Sequence, residues 1–182
     1  VVLKELQSLW KKNFSGWQAG SDCQQAQGLT CDSDGMITSM RVNTSAVVNW
    51  EPASVTRLSR LTQLEFSQVP QFPWGSLYNM TWLKSLAVDC LPHTHYGIPD
   101  GMANFTQLTR LRISDCGFVN ELGKLTRLSN LSELEVPFNR ISSIMDVTNS
   151  NFPTLAKLNL SSNPLEPDSL MHLSRLSGLT TL

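Results

Sequence analysis

Leu108-Thr109-Arg110-Leu111-Arg112-Ile113-Ser114-Asp115-Cys116-Gly117-Phe118 sets apolar side chains at 108, 111, 113 and 118 around a thiol slot at Cys116. The phrase returns. Residues 131–141 read LSELEVPFNRI with Asn139 in the slot, and residues 155–165 read LAKLNLSSNPL with Asn163 there. Three looser copies precede them. Residues 37–47 carry Ser45 in the slot and residues 61–71 carry Val69. The copy opening at Leu83 offers Leu91, or Cys90 one place early. Leu179 and Leu182 begin a seventh. The first apolar residues fall at 37, 61, 83, 108, 131, 155 and 179, in steps of 24, 22, 25, 23, 24 and 24. A near-constant step over most of a chain is the mark of units that each bury their apolar face on a neighbour.

Within each phrase the later apolar residues alternate with polar ones, which predicts a short strand with one buried face. The slot residue turns inward at the following bend, where an Asn or Cys can satisfy backbone groups the turn leaves unpaired. This phrase, L-x-x-L-x-L-x-x-(N/C)-x-L, resembles the leucine-rich repeat, whose period runs about 20–29 residues. The expected fold is therefore an α/β leucine-rich repeat solenoid, right-handed, with short parallel strands on the concave face. Leu122, Leu125, Leu128 and Leu131 recur every third residue, as do Leu170, Leu173, Leu176, Leu179 and Leu182. That period predicts 3-10 or irregular segments on the convex face. The expected division is a cap over 1–36 and repeats over 37–182.

Composition narrows the partners. The 182 residues are 41% hydrophobic and 16% charged, with a net charge of −1. A nucleic-acid surface would need a basic excess, and no apolar run approaches the roughly 18 residues of a membrane helix. Neither nucleic acid nor a membrane span is expected, and no cofactor is implied. The chain opens on Val1 with no signal peptide, which reads as a processed or trimmed chain.

Val2, Leu6, Leu9 and Trp10 share one face of an expected N-terminal helix. Such a helix would cover the open side of the first coil. Trp17 and Cys23 follow, then Gly28-Leu29-Thr30-Cys31-Asp32 and a turn into the first strand. This stretch resembles the N-terminal cap of plant-type extracellular leucine-rich repeat proteins, and caps found on some protist surface proteins, with seven rather than six residues between the cysteines. The resemblance implies an extracellular protein and protein, peptide or cell-wall glycan partners. Cys23 and Cys31 would close a short loop, stabilising by about 2–3 kcal/mol. Cys90 and Cys116 lie in successive coils at almost one phase. They either bond, or Cys116 is a buried free thiol filling its slot. A zinc site is disfavoured because C-x7-C lacks metal-ligand spacing.

Six N-x-S/T sequons stand at Asn13, Asn43, Asn79, Asn104, Asn130 and Asn159. The Asn, Ser and Thr content would give roughly two by chance, and the excess points to a glycosylated, secreted or cell-surface chain. Catalytic chemistry has no support. His93-Thr94-His95 lacks a third ligand, His172 reads as a back-face surface residue, and no nucleophile elbow or phosphate loop occurs. No catalytic or metal-binding residue is assigned.

The strand positions facing outward form two columns. One runs Arg41, Glu65, Ala87, Arg112, Glu135, Asn159. The other runs Ser39, Gln63, Ser85, Arg110, Glu133, Lys157. They read either as cross-strand ion pairs that keep the face soluble or as a polar recognition strip. The strip would comprise Arg41, Glu65, Arg110, Arg112, Glu133, Glu135 and Lys157, with Phe138 as an apolar spot on its rim. The expected function is non-enzymatic binding of a protein, peptide or glycan on this face. The alternative is a glycosylated structural protein that self-associates end to end through an uncapped last coil, building a filament.

Overall fold

The computed structural model describes residues 23, 27–43, 52–70, 72, 74–92, 95 and 97–182. The expected helix over Val2 to Trp10, Trp17, the Ser45 slot, Asn13, His93 and Thr94 lie outside the described residues.

Seven strands form one sheet in chain order: β1 Leu29–Cys31, β2 Ile37–Asn43, β3 Gln63–Val69, β4 Ser85–Cys90, β5 Arg110–Ser114, β6 Glu133–Glu135 and β7 Lys157–Asn159. From β2 to β7 every neighbour is parallel, and the pairing steps by one coil at a time. Parallel neighbours need a crossover, and here the rest of each coil supplies it. The crossovers contain 3-10 segments at Pro52–Arg57, Trp74–Leu77, Asp100–Asn104 and Leu122–Leu125, and another at Met171–Arg175 follows β7; the last two fall where leucines recur every third residue. One short α-helix, α1, spans Pro167–Leu170.

The leading Leu of most phrases sits before its strand rather than in it. Its N–H closes a tight turn onto the carbonyl three residues back: Leu61 on Leu58, Leu83 on Met80, Leu108 on Phe105, Leu131 on Leu128, Leu155 on Phe152 and Leu179 on Leu176, at 2.9 to 3.3 Å. The turn swings the chain from the convex segment into the sheet. The next residue then starts the inter-coil ladder, with Thr62 N on Thr38 O and Ser132 N on Thr109 O. Hydroxyls double it: Thr109 and Ser132 donate to the carbonyls of Lys84 and Thr109, each at 3.0 Å. The seventh phrase does not form the strand expected from 179. It joins the ladder through Thr180 N to Ala156 O at 2.8 Å and one Lys157–Thr181 bridge.

The apolar residues share one continuous core. Leu64, Leu86, Leu111, Leu134 and Leu158 stack at one sheet position, each at most 2% exposed. Phe66, Phe72 and Trp74 interlock edge-to-face, with centroids 4.9 and 4.4 Å apart, and Trp74 reaches Phe118 at 6.2 Å. Such geometry suits the positive ring edge against the negative face.

The slot residues behave as their chemistry dictates. Asn139, buried, donates to the carbonyls of Ile113, Val136 and Pro137 at 2.8 to 3.1 Å and accepts Phe118 N at 3.1 Å. Asn163 repeats this one coil on, donating to Val136, Leu160 and Ser161 and accepting Ile141 N. In β4 the inward position belongs to Cys90, while Leu91 turns out to solvent. Disulfides join Cys23 to Cys31 and Cys90 to Cys116, with Cα atoms 6.2 and 5.0 Å apart.

β1 runs antiparallel to β2, with a bulge between Thr30 and Cys31. Gly28 admits this reversal. It has φ +81°, and its carbonyl accepts Arg41 N at 2.7 Å; a Cβ there would lie 2.7 Å from Arg41 O. Only glycine meets both demands.

Candidate functional site

The strand register brings together the two columns that alternation predicts. Ser39, Gln63, Ser85, Arg110, Glu133 and Lys157 are consecutive partners along one, and Arg41, Glu65, Ala87, Arg112, Glu135 and Asn159 along the other. All are half-buried or exposed, while the residue that follows each of them is buried in the core. In-register parallel pairing sets each outward residue beside its counterpart about 4.8 Å away, so charge order along the columns decides what the face presents.

The charges pair with one another. Arg41 Nε meets Glu65 at 2.9 Å. Arg110 Nε meets Glu133 at 3.0 Å, and Arg112 bridges Glu135 at 3.1 Å and Asp89 at 3.2 Å. Lys157 bonds Glu135 and reaches Glu133 at 3.9 Å. The bond from Lys157 holds the Glu135 carboxyl below the ordinary Glu value; partial burial opposes this, and Arg112 adds to it. The same bond raises the Lys157 ammonium above its ordinary value. Each pair is partly exposed, so solvent screens its attraction. Asp89 was missed by the sequence reading, although it continues the outward alternation of Ser85 and Ala87.

Between the two charged groups the face dips. Ser85 and Ala87 are the short side chains of β4, standing between Gln63 and Glu65 on one side and Arg110 and Arg112 on the other. A hollow of about 320 Å³ extends from here across β3 and β2 to Gly28–Thr30. A second, of about 200 Å³, runs from Ser85 and Ala87 to Glu133 and Glu135. They meet at Ala87, giving a polar trough floored by small residues and walled by ion pairs.

The other predicted positions are dispersed. Asn43, Asn79, Asn104 and Asn130 are exposed, and Asn159 is half-buried on the strand face with its Oδ1 accepting Ser161 N. Asn79 and Asn104 sit at convex corners, at or just past 3-10 segments. Asn130 donates to Thr106 O at 2.8 Å. His172 is half-buried, not fully at the surface, and its Nδ1 is enclosed with no partner among the described residues. No group of three or more His, Cys, Asp or Glu among the described residues could hold a metal. No described helix is long and apolar enough to cross a membrane.

No family model and no curated protein matches the chain. Solved structures do. An internalin from Listeria monocytogenes aligns at 28% identity with a TM-score of 0.58, covering 72% of this chain and 36% of its own. A leucine-rich repeat protein from Leptospira interrogans reaches a TM-score of 0.66 at 17% identity over 80% of this chain and 36% of its own. The leucine-rich repeat ectodomain of the receptor kinase SOBIR1 from Arabidopsis thaliana gives 0.58 at 23% identity, covering 90% of this chain and 93% of its own. The chain thus spans about a third of the length of the internalin it matches.

Proposed function

Starting from a leucine-rich repeat solenoid, we infer that the chain is a non-enzymatic recognition module of a secreted or cell-surface protein, taking a protein or peptide segment along its concave sheet. The observation that carries this is the trough at Ser85 and Ala87, walled by Arg41 and Glu65 on one side and by Arg110, Arg112, Glu133, Glu135 and Lys157 on the other. An extended segment can lie across the strands, set a side chain over Ala87, and exchange polar contacts with either wall. The ion pairs are part of this design, since paired charges at a rim steer and select more than they bind. The receptor-kinase ectodomain among the similar structures supports a recognition role. Two disulfides and exposed sequons at Asn43, Asn79, Asn104 and Asn130 support an oxidising, glycosylating compartment. Asn13, outside the described residues, completes the sequons with Asn159, where a glycan would shade the β7 end of the face.

A random-peptide display library panned on the chain tests the reading. Peptides enriched on it should lose binding to Ala87→Trp, which fills the trough without entering the core, and to Arg110→Glu with Arg112→Glu. Equal capture by all three proteins rejects the concave site. A second reading, self-association, is favoured by the consecutive residues Leu170 and Met171, exposed by 48% and 68% where α1 passes into the 3-10 segment. Sizing at rising concentration separates the two, because a strict monomer rules out assembly.

A further inference from the structure

The turn after the strand repeats one backbone device. The residue before the slot is left-handed in four coils: Gln68 at φ 57°, Asp115 at 59°, Phe138 at 54° and Ser162 at 57°. Three of these are polar or small. Phe138 is the exception, and a bulky side chain at positive φ is a strained outlier. Packing does not explain it, because Phe138 is 54% exposed. The fold itself would be served better by the Ser or Asp that neighbouring coils use.

Phe138 forms one wall of a shallow hollow of about 290 Å³ on the rim past the strands, shared with Pro92, His95, Asp115 and Arg140. Arg140 is anchored by its N–H to Phe118 O at 2.8 Å, and its Nη2 lies 3.5 Å from His95 Nε2. Unlike Arg41, Arg110 and Arg112, it has no carboxylate partner among the described residues. An exposed aromatic beside an unneutralised guanidinium, held on a turn clamped by Asn139, is the composition of an interface anchor.

We propose that this rim is a second docking surface, separate from the concave trough, for a partner protein segment that presents an apolar side chain next to a single carboxylate. The apolar group covers Phe138 and Pro92, and the carboxylate takes the Arg140 fork. A polyanion such as nucleic acid or a sulfated glycan would need several cations, and Arg140 is the one Lys or Arg lining the hollow among the described residues.

The probe is a capped tetrapeptide with a leucine–aspartate core, compared with its leucine–asparagine analogue, titrated into the isotope-labelled whole chain and followed by NMR. The aspartate peptide should give saturable millimolar shifts at the Phe138 ring and Arg140 side chain, with the asparagine peptide about fivefold weaker. Phe138→Ser, which installs the residue found at position 162, should abolish the Arg140 side-chain shifts while raising the melting temperature. Equal binding of the two peptides, shifts confined to the concave strands, no saturable shifts, or undiminished binding to Phe138→Ser each overturn the proposal.

Discussion

One amide side chain closes each of the later turns. Asn139 satisfies three carbonyls and one N–H that the bend turns away from the ladder, and it is almost wholly buried. Removing it takes the acceptor from Phe118 N and a donor from Ile113 O, while Val136 O keeps Asn163 Nδ2 and Pro137 O keeps Asp115 N; each buried group left unsatisfied costs about 1–3 kcal/mol. Asn139→Ala should therefore lower stability by about 2–4 kcal/mol, read as a shifted urea midpoint at unchanged slope. Asn163→Ala, in a half-buried slot, should cost less; equal losses would contradict this account. The amide's role was legible in the sequence, because Asn at a fixed place after an alternating run has few other uses. The left-handed residue just before it was not legible. Gln68, Asp115, Phe138 and Ser162 share no side-chain chemistry, and backbone sign is set by the turn rather than by composition. For the same reason Phe138 read only as an apolar spot.

At the scale of the strand, register converts sequence order into neighbours. The two outward columns followed from alternation plus step length, so the charged residues of the face could be named without coordinates. Their mutual pairing could not be decided that way, since it depends on rotamers and on Asp89 lying within reach of Arg112. The trough was hidden too, because a gap is made by what Ser85 and Ala87 lack. The Glu135–Lys157 pair carries a pH signature. Glu135 is depressed, so its contribution is present above the unfolded carboxylate value and fades as pH falls through the lower folded one. Lys157 is raised, so its contribution is present below the unfolded lysine value and is lost only as pH climbs past the higher folded one. The pair is thus constant across neutral pH. Lys157→Met should move the Glu135 titration, followed through its carboxyl carbon by NMR, up toward the ordinary Glu value. An unmoved titration would assign the depression to Arg112 instead.

For the whole molecule, cohesion passes from coil to coil through the shared core and the carbonyl ladder, and the Cys90–Cys116 bond adds a covalent tie between the β4 and β5 coils. Closing a loop of 26 residues restricts the unfolded chain, worth about 3–4 kcal/mol in the chain-entropy picture. Cys90→Ala with Cys116→Ala should lose about that much, and hydrogen exchange should rise first in β4 and β5 rather than evenly; uniform loosening would mean the coils melt as one. Alternation and spacing announced the stacked coils, but not that the seventh phrase joins them by a single Lys157–Thr181 bridge. The reversed β1 has a bearing on storage and crowding. Among the described residues β1 is the edge of the sheet, and its three residues, kinked by a bulge and running against the rest, give an intruding polypeptide a short and crooked template on that flank. Fibrillar growth by strand addition is accordingly blunted there, and straightening the kink would open a path to aggregation that the native chain keeps shut.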